Sequence, residues 1–282
     1  MTAGGTNPFR LDGQVALVTG ASRGLGNSIA RALASAGADV ILHASQQEPR
    51  AAADVIAADA GVRTACVVAD LASDSAAEHL TSSALGAFGR IDILVNNAGI
   101  IRRADAVDHS DEDWNTVIAV NLTSVFRLSR AIGRSMLERG SGKIINVASL
   151  LSFQGGVRVP AYAAAKGAVA QLTKALANEW AARGVNVNAI APGYFKTDNT
   201  SALVADARRY ADITARIPAG RWGEPDELGG AAVFLASVRR TMCMATCWSS
   251  MADGWLDDRD SRRRRSADRT VRYRRRDPAE GT

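Results

Sequence analysis

The sequence predicts an α/β fold in which one parallel β-sheet carries helices on both faces. Two observations predict it. Six short runs of β-branched or aliphatic residues recur between residues 14 and 237, and amphipathic stretches of helical length separate them. This alternation is typical of βαβ units, whose right-handed crossovers place helices on both sides of the sheet. We therefore expect a single, doubly wound domain.

Each predicted strand is one of these apolar runs, bounded by turn residues. The six runs lie at residues 15–19, 40–42, 64–68, 91–95, 143–147 and 185–190. Two of the longer stretches between them, residues 111–137 and 161–182, have the pattern of amphipathic helices. No internal repeat of the solenoid type interrupts this order.

Composition changes abruptly after Ser237. Residues 238–282 have little apolar periodicity and contain two arginine runs, at 262–265 and 274–276. Such a segment is typical of a disordered basic tail. We therefore expect residues 1–237 to form the folded domain and residues 238–282 to be an anomalous, largely disordered tail.

The net charge of +5 lies mostly in this tail, since residues 257–282 hold ten arginines against six acidic residues. The folded part is thus close to neutral, which argues against nucleic acid as a partner. No apolar run reaches the ~18 residues that a membrane span needs. Residues 1–9 do not resemble a secretory signal, and three cysteines are too few for a disulfide framework. We expect a cytoplasmic protein with no membrane partner.

A glycine-rich loop directly follows the first predicted strand and leads into a helix. Residues 19–26 read TGASRGLG. Glycines permit a tight turn and a close approach of the backbone to a pyrophosphate, while the helix N-terminus offers free N–H groups to that anion. The loop therefore predicts a dinucleotide site of the Rossmann type. Its candidate cofactor-binding residues are Gly20, Ser22, Arg23, Gly24, Leu25 and Gly26.

The spacing TGxxxGxG resembles that of the classical short-chain dehydrogenase/reductase family, and the resemblance covers residues 9 to about 237. Further family motifs follow three later strands. The resemblance implies a nicotinamide cofactor bound at these strand ends. The residues that it implies there are Asp70 and Leu71 after the third strand, Asn97, Ala98 and Gly99 after the fourth, and Pro192, Gly193 and Thr197 after the sixth.

The choice between NAD and NADP stays open from sequence. A carboxylate at the end of the second strand would bind a ribose 2′-hydroxyl and repel a 2′-phosphate. That position reads His43, Ala44 and Ser45, without an acid, and Ser45 is the candidate contact. Arg23 in the glycine loop could pair with a 2′-phosphate.

Four residues match the catalytic set of the family: Asn121, Ser149, Tyr162 and Lys166. Tyr162 and Lys166 are four apart at the start of a predicted helix, which places them on one face. A tyrosine with a pKa of ~10 is a poor base near neutral pH, and a nearby ammonium is expected to lower that pKa. The resemblance implies that Tyr162 is the general acid/base, with Lys166 tuning it and contacting the nicotinamide ribose. It implies that Ser149 binds the substrate oxygen and that Asn121 orients a water next to Lys166.

No metal is expected. The three histidines, His43, His79 and His109, are scattered, and the pair Cys243 and Cys247 lacks a second pair of ligands.

Four segments resemble the sugar-acid branch of the family. They are residues 96–105, 149–162, 178–200 and 217–223. The resemblance implies a hexonate such as 2-dehydro-3-deoxy-D-gluconate as the substrate, and a homotetramer. Arginine binds a carboxylate through two parallel hydrogen bonds, so Arg103 and Arg158 are candidate substrate residues, with Ser149 and Gln154 for substrate oxygens. Two alternatives stay open: a 3-oxoacyl-carrier-protein-reductase-like enzyme, and a non-catalytic remnant that only binds cofactor.

The family usually closes with a last strand and a DGGW-like ending that helps to form the tetramer interface. Residues 241–255 read TMCMATCWSSMADGW, which does not match. Their codons, read from the third base, permit YVYGHVLVVDGGWLAR followed by a stop, which does. We interpret the C-terminus as frameshifted from about residue 238. We therefore expect the last strand to be disrupted and tetramer assembly to be hindered.

Overall fold

The computed structural model describes residues 7–237 and, as backbone only, residues 247–249. In this part of the chain, seven strands form one sheet in the order β3-β2-β1-β4-β5-β6-β7, and all neighbouring strands are parallel. The strands are β1 Val15–Val18, β2 Asp39–Ala44, β3 Thr64–Val68, β4 Ile93–Asn96, β5 Gly142–Val147, β6 Val185–Ala191 and β7 Cys247–Ser249. The six predicted strands and the doubly wound fold are confirmed.

Helices follow the strands in the predicted alternation. They are α1 Gly24–Ser35, α2 Arg50–Ala60, α3 Ala76–Phe88, α4 Asp111–Ile118, α5 Ser124–Arg139, α6 Pro160–Trp180, α7 Ser201–Ala205, α8 Ala207–Thr214 and α9 Gly229–Ala236. None of the helices in the described part is both long enough and apolar enough to span a bilayer.

The sheet is buried on both faces, because side chains alternate along each strand. In β1, Ala16 and Val18 pack on the side of α1, α2 and α9. Val15 and Leu17 pack on the opposite side, against α3, α5 and α6. The near-continuous apolar runs of the sequence therefore reflect burial on two sides, as is usual for parallel sheets.

The strand order reverses between β1 and β4, which places a crevice at the carboxyl ends of these two strands. The glycine-rich loop leaves β1 at this edge, and the segment beginning with Asn97 leaves β4 beside it. The motifs of both loops are thus neighbours in space although they are far apart in sequence.

The helix predicted at residues 111–137 contains a change of helical type. Residues Ala119–Thr123 form a π-helical turn between α4 and α5, and Asn121 lies in it. The Ser124 hydroxyl donates to the Val120 carbonyl at 2.6 Å just beyond the turn. Such π turns occur frequently at functional sites.

The predicted tail is described only at β7. Its three residues pair in parallel with the end of β6, where Ala189 lies opposite Cys247. The expected position of the last strand is thus taken by a short strand from the anomalous segment. The rest of that prediction, for residues 238–246 and 250–282, lies outside the described residues, as do residues 1–6.

Candidate active site

The glycine-rich loop adopts a conformation that only glycine tolerates well. Gly20 and Gly24 have φ of 64° and 57°, in the left-handed region. At Gly26, an added Cβ would lie 2.2 Å from the Gly20 carbonyl oxygen, because the first turn of α1 packs directly on the loop. The loop and the N-terminus of α1 therefore form a cradle without side chains, which fits a pyrophosphate.

Hydrogen bonds join this loop to the segment after β4. The Thr19 hydroxyl accepts from the backbone N–H groups of Asn97 and Ala98, both at 3.0 Å. The Asn97 side-chain amide donates to the Thr19 carbonyl at 2.9 Å. Two predicted cofactor segments thus hold each other in place before any ligand arrives.

A third contact to the loop was missed by the sequence analysis. His43 is buried at the end of β2, where its Nδ1 lies 3.2 Å from the Gly20 nitrogen and its Nε2 lies 2.9 Å from the Ala69 carbonyl oxygen. These partners require a neutral ring that accepts at Nδ1 and donates at Nε2. Burial also lowers the pKa of His43. Only its position at a strand end, beside the glycine loop, signalled such a role.

A cavity of about 550 Å³ opens above these loops, and we call it the glycine-loop cavity. Every residue that was predicted to contact the cofactor lines it. The lining residues on that list are Gly20, Ser22, Arg23, Gly24, Leu25, Gly26, Ser45, Asp70, Leu71, Asn97, Ala98, Gly99, Tyr162, Lys166, Pro192, Gly193 and Thr197. The cavity could hold an extended dinucleotide with its pyrophosphate at the cradle.

The wall at the end of β2 carries no acid: Ala44, Ser45 and Gln46 line it. A 2′-phosphate would therefore meet no repelling carboxylate there. Arg23 pairs instead with Asp198 on the opposite side of the cavity, with its Nε 2.6 Å from Oδ2. To bind a 2′-phosphate, Arg23 would have to leave this exposed ion pair.

The predicted catalytic residues Ser149 and Tyr162 line the same two cavities, and the Ser149 hydroxyl is close enough to act on the Tyr162 phenol. Burial raises the pKa of Tyr162, and the Ser149 hydroxyl and the charge of Arg103 oppose this only in part. The pKa of Tyr162 is thus raised, whereas the sequence predicted a lowered one; that Lys166 stabilises the Tyr162 phenolate stays a prediction. The Lys166 ammonium lies 5.7 Å from the centre of the Tyr162 ring.

Lys166 is buried, and its Nζ donates to the Val147 carbonyl at 2.6 Å. Burial lowers the pKa of Lys166 to about 8. The group can therefore change its charge close to physiological pH, which an ordinary surface lysine cannot do. Its position between β5 and the glycine-loop cavity fits a role in moving or stabilising a proton.

Asn121 lies behind Lys166 and does not line either cavity described here. Its side-chain amide accepts from the Ile100 N–H and donates to the Ile100 carbonyl, both at 2.8 Å. The segment at Gly99 runs between the two residues, since a Cβ there would lie 3.3 Å from Asn121 Oδ1 and 3.7 Å from Lys166 Nζ. The structure thus brings Asn121 close to Lys166, with one donor and one acceptor site of its side chain taken by the Ile100 backbone.

A second cavity of about 460 Å³, which we call the side cavity, adjoins the first. Ser149 and Tyr162 line both cavities. The predicted substrate residues Arg103 and Gln154 also line the side cavity, but Arg158 does not. Arg158 pairs with Asp105 at 3.1 Å, so the structure does not bring it to the site.

One wall of the side cavity, which we call the α8 wall, comes from residues that the sequence analysis did not select. Arg209, Asp212 and Arg216, in and just after α8, line it together with Tyr194 and Leu203. Their one signal in the sequence is the heptad spacing of the two arginines, which is common on surface helices. Throughout the described residues, no group of three or more metal-ligating side chains is placed to hold a metal ion.

Comparisons with known proteins agree with this site. The sequence profile described as short chain dehydrogenase matches residues 14–208. The chain is 50% identical over 232 residues to the 2-dehydro-3-deoxy-D-gluconate 5-dehydrogenase of Dickeya dadantii, a match that covers 82% of this chain and 91% of that protein. It is 52% identical over 233 residues to the protein of the same name from Bacillus subtilis, covering 81% of this chain and 89% of that protein.

Among solved structures, the gluconate 5-dehydrogenase of Burkholderia cenocepacia in complex with NADP and tartrate superposes with a TM-score of 0.80 at 41% identity. That match covers 86% of this chain and 96% of the other. A protein of Agrobacterium tumefaciens with bound NADP, assigned as a 2-deoxy-d-gluconate 3-dehydrogenase, gives a TM-score of 0.80 at 51% identity, with the same coverage. The profile match and these identities together show that the chain belongs to the short-chain dehydrogenase family.

Proposed function

We propose that the protein transfers a hydride between a nicotinamide dinucleotide and the C5 hydroxyl or ketone of a sugar acid, with 2-dehydro-3-deoxy-D-gluconate as the first candidate. One observation carries the proposal: the glycine-loop cavity and the side cavity meet at Ser149 and Tyr162. A dinucleotide in the first and a hexonate in the second would meet at these two hydroxyls. The sugar-acid names of the relatives support the choice of substrate.

The dinucleotide, when bound, supplies or accepts the hydride. Tyr162 is placed to give a proton to the substrate oxygen during reduction and to take it during oxidation. Ser149 is placed to donate a hydrogen bond to that oxygen as charge develops on it. A protonated Lys166 stabilises the Tyr162 phenolate, and its pKa of about 8 allows it to pass a proton onward. Asn121 fixes the Ile100 backbone beside this route.

NADP is a cofactor that the site can accept, since the end of β2 carries no carboxylate. The solved relatives with bound NADP support this assignment. NAD lacks the 2′-phosphate and would lose only the contacts of that group. We therefore propose an assay with both cofactors. We also propose a cytoplasmic homotetramer, which the family resemblance supports.

The test is an assay of purified protein with both cofactors against a panel of sugar acids and neutral ketones. We expect turnover of sugar acids by the wild type. Tyr162→Phe should lower kcat by roughly 10²–10⁴-fold, because it removes the proton donor, while leaving the Kd for NADPH nearly unchanged. Tyr210→Phe is the matched control, because its ring stacks on Trp222 and Tyr210 lines neither cavity.

Turnover that survives Tyr162→Phe unchanged would refute the mechanism. Cofactor binding with no turnover of any substrate by the wild type would favour a non-catalytic remnant. Turnover of 3-oxoacyl substrates alone would favour the reductase alternative, which a relative from Vibrio harveyi, 44% identical, represents.

A further inference from the structure

Helix α8 is fixed to the body by its own small apolar cluster. Ile213 and Ile217 are buried against Trp222, which is 1% exposed. The Tyr210 ring stacks on the Trp222 ring at 5.2 Å, and the Trp222 indole donates to the Thr214 hydroxyl at 3.0 Å. These contacts lock the orientation of α8, so side chains on its cavity-facing side are held in place rather than on a free loop.

Two arginines of this segment line the side cavity. Arg209 lies in α8, four residues before the buried Ile213, and Arg216 lies in the turn after α8, next to the buried Ile217. Both line the cavity, and within the described part of the chain neither has an acidic side chain within ion-pair distance. Neighbouring arginines differ: Arg221 pairs with Glu227, and Arg158 pairs with Asp105.

The third arginine of the cavity occupies a different position. Arg103 lies close enough to Tyr162 for its charge to act on the phenol, and its Nη2 donates to the Asn199 carbonyl at 2.9 Å. It therefore belongs to the reacting end. Asp212 lines the same wall and offers a hydrogen-bond acceptor there.

We propose that Arg209 and Arg216 form the subsite that binds the substrate carboxylate and thereby select sugar acids over neutral ketones. This rests on the proposed function. In a hexonate that reacts at C5, the C1 carboxylate lies four carbon–carbon bonds from the reacting carbon, so its partner must stand away from Tyr162. Arg209 in α8 and Arg216 just after it line the same cavity as Tyr162 but come from a different element than Tyr162 in α6, and no ion pair occupies their guanidinium groups within the described residues. Arginine binds carboxylates bidentately, so these two groups meet that requirement.

The test compares Arg209→Gln, Arg216→Gln and the double variant with Arg208→Gln. Arg208 is the matched control, because it is an exposed arginine on the same helix that does not line the cavity. KM for D-gluconate should rise on the order of 10-fold for each cavity-facing arginine, with kcat at saturation nearly unchanged. KM for the neutral analogue D-glucitol and the Kd for NADPH should stay the same. Arg103→Gln should instead lower kcat and move its pH profile.

Binding of D-gluconate to the NADPH-loaded protein, measured by calorimetry, separates this inference from the proposed function. If the wild type binds D-gluconate in an arginine-dependent way but turns no sugar acid over, the proposed function fails and the subsite stands. If turnover is normal and the double variant keeps the wild-type KM, or Arg208→Gln raises KM equally, the subsite is refuted. Failure of the wild type to bind D-gluconate also refutes it.

Discussion

At the scale of single residues, burial sets the charge of the predicted catalytic pair, Tyr162 and Lys166. Burial moves the pKa of Tyr162 up and that of Lys166 down to about 8, so each group is pushed toward its neutral form. The sequence predicted the identity of both residues but not this direction. The pattern of residue types shows which groups are four apart on a helix, whereas desolvation depends on everything packed around them.

His43 gives a prediction about pH and stability. Burial lowers its pKa from the ordinary value of 6.5. Below pH 6.5 this histidine is therefore protonated in the unfolded chain while it is still neutral in the folded chain. The free energy of unfolding should therefore fall as the pH drops from 6.5 toward the folded-state pKa. His43→Phe should remove this part of the slope in urea unfolding between pH 5 and about 8. It should also cost about 1–3 kcal/mol at neutral pH, because it leaves Gly20 and Ala69 without their partner.

His79→Asn, the loss of an exposed histidine on α3, is the control. An identical pH slope in wild type and His43→Phe would contradict the assigned role of His43.

At the scale of elements, the close contact between the glycine loop and α1 predicts a graded pair of glycine variants. Gly26→Ala would place a methyl group 2.2 Å from the Gly20 carbonyl oxygen, so the cradle must open. We expect NADPH affinity to fall at least about 10-fold and stability to drop by about 1–3 kcal/mol. Gly86→Ala, in α3 with open space around the added Cβ, should instead stabilise the fold by about 0.5–1 kcal/mol. Equal NADPH affinities for the two variants would show that NADPH binding does not depend on the close contact between α1 and the glycine loop.

Elements set by local pattern were predicted, and elements set by distant partners were not. All six strands follow from apolar runs, because parallel strands buried on two sides need such runs. The π turn at Ala119–Thr123 could not be foreseen, since its residues alone would continue an α-helix. The Arg23–Asp198 and Arg158–Asp105 pairs and the α8 wall depend on where separate segments meet, and no spacing within one segment reveals that.

At the scale of the whole molecule, the frame interpretation of the C-terminus remains a prediction with a direct test. In the described chain, β7 pairs only three residues with β6, whereas β6 itself runs for seven. Replacing residues 241–257 by YVYGHVLVVDGGWLAR and ending the chain there should lengthen this strand and bury several more apolar side chains. Each large one contributes roughly 1.5–3 kcal/mol, so we expect a clearly higher Tm. We also expect a tetramer by mass in solution, with less assembly by the present chain. Equal melting temperatures and equal masses for the two chains would refute the interpretation.

The separate anchoring of α8 has a consequence for how this protein can evolve. The main sheet and its two flanking layers carry the glycine-rich cradle, while the cluster of Ile213, Ile217 and Trp222 carries the α8 wall of the side cavity. Substitutions on the exposed side of that wall leave the packing of the sheet untouched. Substitutions on α8 can therefore change the preference for substrates while the glycine-rich cradle stays intact. Ancestors and descendants of this chain would then differ most in residues 201–216 and least around residues 19–26.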